Sequence, residues 1–169
     1  MKRLTLMRHG EARWQDAGLS DLERPLSRRG TAAARAMARR LRELALVPDL
    51  LLASPARRTQ QTADILAREL ALARVVREEK LYLAAPADLL AIAQATAPRI
   101  EHLLLVGHNP GLSELMQLLA PAQAGGGLAT AALCSIGFAC AAWSELDAAS
   151  VREVRRENPP AARFFGLFG

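Results

Sequence analysis

Three short apolar runs each give way to residues of a kind that handles phosphate. Leu4–Met7 leads into Arg8-His9-Gly10, and Asp49–Ala53 into Ser54-Pro55 with Arg57 and Arg58 close behind. His102–Val106 leads into Gly107-His108-Asn109, so two of the three histidines stand at equivalent places with arginines for company. A neutral imidazole is a competent nucleophile and can carry a phosphoryl group covalently, dividing one hard transfer into two easier ones. The group in flight is loose and metaphosphate-like, so catalysis rests on positioning and charge stabilisation. Guanidinium forks grip phosphate oxygens bidentately and stay protonated. Nearby arginines also lower a histidine's pKa and keep it neutral near pH 7. A second histidine, protonated under the charge of bound phosphate, donates to an equatorial oxygen. Such chemistry calls for no metal, and no cofactor is expected.

Taken singly, these residues are ordinary. A lone histidine after a strand is usually a satisfied structural residue. Arg57 or Arg58 alone is a charge on a helix face, and Gly10 or Gly107 alone a turn glycine. Their conjunction carries the weight, because open α/β sheets bind ligands at the carboxyl ends of their strands.

The elements that must hold these residues follow from pattern. The three apolar runs read as buried strands. Ser27 caps a helix expected from Arg28 to Leu46, with Ala33, Ala36, Met37, Leu41 and Leu44 spaced by three and four. Ser54 at the N-cap and Pro55 behind it announce a second helix running to Leu72, with Thr62, Ile65, Leu66 and Leu70 inward. A weaker extended segment is expected near Val75–Leu83, and helices over Pro86–Ala97 and Ser113–Leu119. An extended stretch follows at Ala131–Ala139, then an edge strand within Ser150–Asn158. The alternation predicts one α/β domain over residues 1–169, a three-layer α/β/α arrangement around a mostly parallel sheet.

Composition narrows the class. The 169 residues are 51% hydrophobic and 23% charged, an ordinary globular balance. The net charge of +5 is nearly all arginine, since Lys2 and Lys80 are the only lysines. Arg35, Arg39, Arg40 and Arg42 read as a solvated helix face. With aromatics at 4% and no compact basic tail, no nucleic-acid partner is expected. No apolar run approaches the roughly 20 residues of a membrane span, and the N-terminal apolar stretch is too short for a signal peptide. Cys134 and Cys140 sit in apolar sequence without metal-like spacing and read as buried, reduced thiols. A soluble cytoplasmic protein is expected, with no membrane partner. Phe164, Phe165 and Phe168 in the tail suit packing on the core or association.

The motifs carry a resemblance. Leu6-Met7-Arg8-His9-Gly10-Glu11 resembles the R-H-G signature of the histidine phosphatase superfamily, also called phosphoglycerate mutase-like. Ser54-Pro55-Ala56-Arg57-Arg58-Thr59-Gln60-Gln61-Thr62 is similar to its S-P-x-x-R-x-x-Q-T element, and Val106-Gly107-His108-Asn109-Pro110 to its G-H-x-P element. Arg24-Pro25-Leu26-Ser27-Arg28-Arg29-Gly30 resembles the R-P-L-[ST]-x-x-G element of its short members. The resemblance implies the phosphoglycerate mutase-like fold, His9 as the phosphorylated nucleophile, and Arg8, Arg58 and His108 closing a phosphate pocket with Asn109 beside them. Arg57 becomes the bland neighbour, about 100° round the helix from Arg58. Gln15 after Trp14 departs from the Asn that mutases carry there.

Length and acids select a branch. Between Leu70 and Pro98 the only acids are Glu78, Glu79 and Asp88, none in a recognisable donor motif. An alkoxide leaving group wants a general acid, whereas the nitrogen of a phosphoramidate departs readily once protonated. The chain therefore resembles the SixA-type phosphohistidine phosphatases, which implies a phosphorylated histidine phosphotransfer domain as partner. A small-molecule phosphomonoesterase or mutase on the same scaffold is the alternative. A non-catalytic phosphate- or nucleic-acid-binding module is a third, disfavoured because mere binding needs no nucleophile. Glu11 is read as structural or rim-lining.

Overall fold

The structure, a computed structural model, describes residues 1–14 and 18–161. The readings of Gln15 and of Phe164, Phe165 and Phe168 lie outside the described residues. In chain order the main elements are β1 (Lys2–Arg8), α1 (Arg28–Glu43), β2 (Leu50–Ala53), α2 (Arg57–Leu70) and β3 (Val75–Arg77). There follow α3 (Pro86–Gln94), β4 (His102–Gly107), α4 (Gly111–Leu119), β5 (Leu133–Phe138) and β6 (Val151–Glu157).

The strands form one sheet in the order β3-β2-β4-β1-β5-β6. The β1, β2, β3 and β4 strands run parallel, as expected. The β5 strand is antiparallel to both of its neighbours. It meets β6 across a connection that holds only short 3-10 turns; without a crossover helix, a pair of strands in sequence turns back on itself.

Helices cover both faces. On one side, Leu4, Leu6, Leu103 and Leu105 pack with Leu89 of α3 and Leu112, Leu115 and Met116 of α4. On the other, Met7, Leu51, Leu104 and Val106 meet Met37 and Leu41 of α1 and Leu66 and Leu70 of α2. Successive β4 side chains thus enter opposite cores, which is why its apolar run shows no alternation.

Several boundaries differ from the sequence reading, each for a physical reason. Ser27 caps α1 as expected, its Oγ accepting the Gly30 N–H at 3.0 Å. The inward stripe of α1 is Gly30, Ala34, Met37, Ala38 and Leu41; Ala33, Ala36 and Leu44 are only half-buried. Alanine contrasts too weakly with its neighbours to mark a face. The α2 helix begins at Arg57, with Ala56 in the capping position, so Ser54 is not its cap. The extended segment beyond Leu72 shrinks to the three exposed residues of β3, because Glu79–Leu81 winds into a 3-10 turn.

Gly30 explains the R-P-L-S-x-x-G spacing. A Cβ there would fall on the backbone of Glu11, so α1 starts in direct contact with the loop after β1. The Ser27 N–H bonds Glu11 O at 2.8 Å, and the Leu26 N–H bonds Gln61 Oε1 of α2 at 2.8 Å. Among the described residues no helix is long and apolar enough to cross a membrane. Cys134 is buried, Cys140 half-buried, and both are free thiols.

Candidate active site

The sheet order makes β2, β4 and β1 neighbours, so their carboxyl ends deliver Ser54, His108, Arg8 and His9 to one place. A cavity of about 470 Å³ opens there, lined by Arg8, His9, Glu11, Arg58, His108 and Asn109, with Trp14, Arg24, Leu83 and Thr130 at its walls. A larger hollow of about 840 Å³ lies beside β2 and α3, holds neither histidine, and is lined largely by Leu50, Leu52, Ala91 and Ile92. Both cavity-facing histidines and their arginines lie in the smaller one.

His9 is buried and its Nδ1 lies 2.7 Å from Gly10 O. A carbonyl only accepts, so Nδ1 carries the proton and Nε2 carries the lone pair. The Arg58 Nε–H donates to that Nε2 at 3.3 Å. Burial, then the charges of Arg58, Arg8 and Arg24, hold His9 down at about 4, against the opposing pull of the Gly10 carbonyl. The imidazole is neutral at pH 7.

His108 faces His9 with ring centroids 5.3 Å apart. Its Nε2 lies 2.7 Å from Ser54 Oγ and its Nδ1 3.2 Å from Arg58 Nη2. A guanidinium only donates, so Nδ1 accepts and Nε2–H points at the serine. Burial first, then His9 and Arg58, push this imidazole down to about 3. A bound phosphate would reverse that electrostatic balance and let Nδ1 take a proton.

Arg58, and not Arg57, enters the site: Arg58 is 4% exposed while Arg57 points to solvent. Arg8 donates from Nη1 to Leu128 O at 3.3 Å, and its buried Nε has no acceptor among the described residues. Burial and the charge of Arg58 lower its pKa. Two guanidinium groups that disfavour each other and one unpaired buried donor make a site that an anion relieves. Among the described residues no group of three or more His, Cys, Asp or Glu is placed to hold a metal ion.

Asn109 follows His108 at the cavity wall, with its amide already engaged. It lines the cavity, but its Nδ2 donates to Leu128 O at 2.7 Å and its Oδ1 accepts from Ser113 Oγ at 2.7 Å. Its amide braces the loop before β5. Glu11 is a rim residue, as expected, its carboxylate accepting from Ser27 Oγ at 2.8 Å. Glu78 and Glu79 stay outside the cavity, Glu79 paired with Arg77 at 2.6 Å.

Other contacts have no counterpart in the sequence reading. Thr62 Oγ1 accepts the Gly10 N–H at 3.1 Å, tying the β1 loop to α2. Arg24 lines the cavity and stands over Trp14 at 5.9 Å. Asp21, in the 3-10 turn Asp21–Glu23, accepts from Arg58 Nη1 at its backbone O (2.7 Å) and from Nη2 at Oδ2 (3.0 Å). The Tyr82 hydroxyl donates to the same Oδ2 at 2.5 Å, and Arg24 Nη1 to Oδ1 at 3.2 Å. Burial alone would raise the Asp21 carboxyl, yet the Tyr82 and Arg58 hydrogen bonds hold it at about 2. Arg24 was visible in the R-P-L element; Asp21 and Tyr82 belong to no motif.

Comparison with known proteins bears on the family and the fold. The profile of the histidine phosphatase superfamily (branch 1) matches residues 4–82. An uncharacterised protein of Picosynechococcus sp. is 34% identical over 128 residues, 72% of this chain and 75% of that protein. An uncharacterised chloroplastic protein of Arabidopsis thaliana is 32% identical over 132 residues, 72% of this chain but only 61% of its relative's length. The structure of the protein histidine phosphatase SixA complexed with tungstate superposes with a TM-score of 0.77 at 25% identity, covering 93% of this chain and 97% of that one. A structure from Agrobacterium tumefaciens, assigned to phosphohistidine phosphatase SixA, gives a TM-score of 0.76 at 27% identity over 81% of this chain and 92% of that one. With its motifs at the ends of neighbouring strands and its likeness to these structures, the chain belongs to the histidine phosphatase superfamily, in the SixA-type branch.

Proposed function

We propose that the protein is a phosphatase that works through a phosphohistidine at His9 and removes phosphate from phosphohistidine in histidine phosphotransfer proteins. The observation that carries the reading is His9 itself: Nδ1 is committed to Gly10 O, so the lone pair on Nε2 is turned towards Arg58 and His108.

In the first step the Nε2 lone pair attacks phosphorus and the bond to the substrate nitrogen breaks, its electron pair going to that nitrogen. The departing imidazole leaves neutral once its distal nitrogen carries a proton, which solvent supplies. No acid is needed at the departing atom. As the His9 ring gains positive charge, Gly10 O opposite Nδ1–H stabilises it. Arg8 and Arg58 hold the equatorial oxygens, and His108 donates from Nδ1 once protonated. In the second step water attacks phosphorus, Nε2 departs with its electron pair, and inorganic phosphate is released. Positive charge comes from arginine, so the reaction is read as metal-independent. Two free cysteines fit a reducing compartment such as the cytoplasm.

A small-molecule phosphomonoesterase has one observation in its favour, the Glu11 carboxylate on the cavity wall. Rates on a phosphorylated histidine phosphotransfer protein, p-nitrophenyl phosphate and 3-phosphoglycerate, with and without EDTA, separate the two. The phosphoprotein and the aryl ester should turn over far faster than 3-phosphoglycerate, and chelator should change nothing. Efficient turnover of 3-phosphoglycerate would transfer the assignment to the second reading.

A further inference from the structure

We infer that Asp21, steadied by the Tyr82 hydroxyl, is a positioning residue that fixes Arg58 for phosphate and does not serve as a proton donor. This rests on the preceding reading only in taking Arg58 as a phosphate ligand.

The argument begins with the shape of a guanidinium, which offers an end-on fork (Nη1 and Nη2) and a side-on fork (Nε and Nη2). In Arg58 the end-on fork is spent on one residue, Nη1 on Asp21 O at 2.7 Å and Nη2 on Asp21 Oδ2 at 3.0 Å. The side-on fork is turned inward, Nε to His9 Nε2 at 3.3 Å and Nη2 to His108 Nδ1 at 3.2 Å. Neutral imidazole nitrogens are weaker acceptors than phosphate oxygens, so an arriving phosphate takes over the side-on fork while the end-on fork stays anchored. Without that anchor the long side chain has to find its own rotamer, and the fork loses its aim.

Asp21 is itself fixed. Tyr82 donates to Oδ2 at 2.5 Å, and its ring stands edge-on to His108 with centroids 5.4 Å apart. Arg24 donates to Oδ1 at 3.2 Å. One carboxylate therefore aligns two of the cavity's arginines and joins them to the tyrosine beside the second histidine. A carboxylate that accepts from two guanidinium groups and a phenol stays ionised and has no proton to give.

The test uses the full chain and inorganic phosphate as the probe, with binding followed by calorimetry. Asp21→Asn should weaken phosphate binding about 10-fold, and Tyr82→Phe by a smaller factor. In an Arg58→Ala background neither change should weaken binding further, because residues acting through one another are not additive. Tyr82→Phe keeps the ring packing and so carries the test if Asp21→Asn folds poorly. In turnover, Asp21→Asn should lower kcat on aryl and alkyl phosphates by the same factor, since a loss of aim is blind to the leaving group. Full additivity with Arg58→Ala would overturn the inference. So would a loss that grows with leaving-group pKa, the mark of a general acid. Phosphate binding is read without turnover. A protein that binds phosphate with this coupling but hydrolyses no substrate would refute the proposed function while upholding the role of Asp21.

Discussion

Arg58 lends its Nε–H to His9 Nε2 at 3.3 Å, so the group proposed to hold phosphate also covers the lone pair of the proposed nucleophile. Phosphate and the His9 imidazole compete for the same guanidinium fork, so binding the anion would uncover Nε2. The same contact disfavours protonation at Nε2, since a proton there would meet an arginine.

That pairing sets the first prediction. Arg58→Ala should lower kcat/KM by about 10²- to 10³-fold, the usual loss of a charge-stabilising donor. Arg57→Ala, one position earlier and in solvent, should stay within about twofold of the parent. Steady-state kinetics on p-nitrophenyl phosphate decide it, and a reversed ranking would place the wrong arginine in the site.

Ser54→Ala removes the partner of His108 Nε2 while adding no bulk. A lost hydrogen bond to a buried ring is worth about 1–2 kcal/mol, or roughly 10-fold in rate. The loss should appear in kcat, together with a fall in melting temperature of about 2–8 °C from the unpaired ring N–H. A serine whose only role was structural would lower the melting temperature and leave kcat unchanged.

The three histidines set a pH window for stability. Burial is the main cause holding His9 and His102 at about 4 and His108 at about 3, against 6.5 for a free imidazole. Between about pH 6.5 and pH 4 the unfolded chain binds more protons than the folded one, so stability falls as pH falls through that window. His102 lies at the far end of β4 from the cavity, its Nε2 2.8 Å from Thr5 Oγ1. Its shift alone corresponds to about 3 kcal/mol by pH 4. Urea midpoints at pH 7 and pH 4.5 should converge in His102→Gln relative to the parent. An unchanged pH slope would mean that His102 titrates alike in the folded and unfolded chains.

Gly30→Ala puts a methyl group onto the backbone of Glu11. Overpacking of that kind costs about 1–3 kcal/mol, a fall in melting temperature of about 2–12 °C. Gly125→Ala, with nothing within 4 Å of the added carbon, is the control and should melt with the parent.

Much of the site was legible because it lies where apolar runs end. His9 and His108 directly follow strands whose burial shows in their composition, and helix phase separates Arg58 from Arg57. Ser54 was misread because Ser-Pro is a strong local helix-start signal, while its actual partner lies 54 residues away. Asp21 sits 37 residues from Arg58 and 61 from Tyr82, in loops that follow no period. Side chains that meet only through tertiary folding leave no local trace. Asn109 shows the converse: its place beside His108 was legible, but the loop that engages its amide was not.

The strand order has a consequence for biosynthesis. The β1 strand, which leads into His9, and β2, which leads into Ser54 and Arg58, are not neighbours; β4 stands between them and hydrogen-bonds to both. A nascent chain emerging from the ribosome therefore carries His9 and Arg58 long before it can bring them together. Only when residue 107 has cleared the exit tunnel does the wedge strand exist that gives both flanks their edge to pair with. Until then β1 and β2 present unpaired apolar edges of the sort that chaperones hold. The proposed phosphate site is thus completed in one late event, not assembled piece by piece as the motifs are translated.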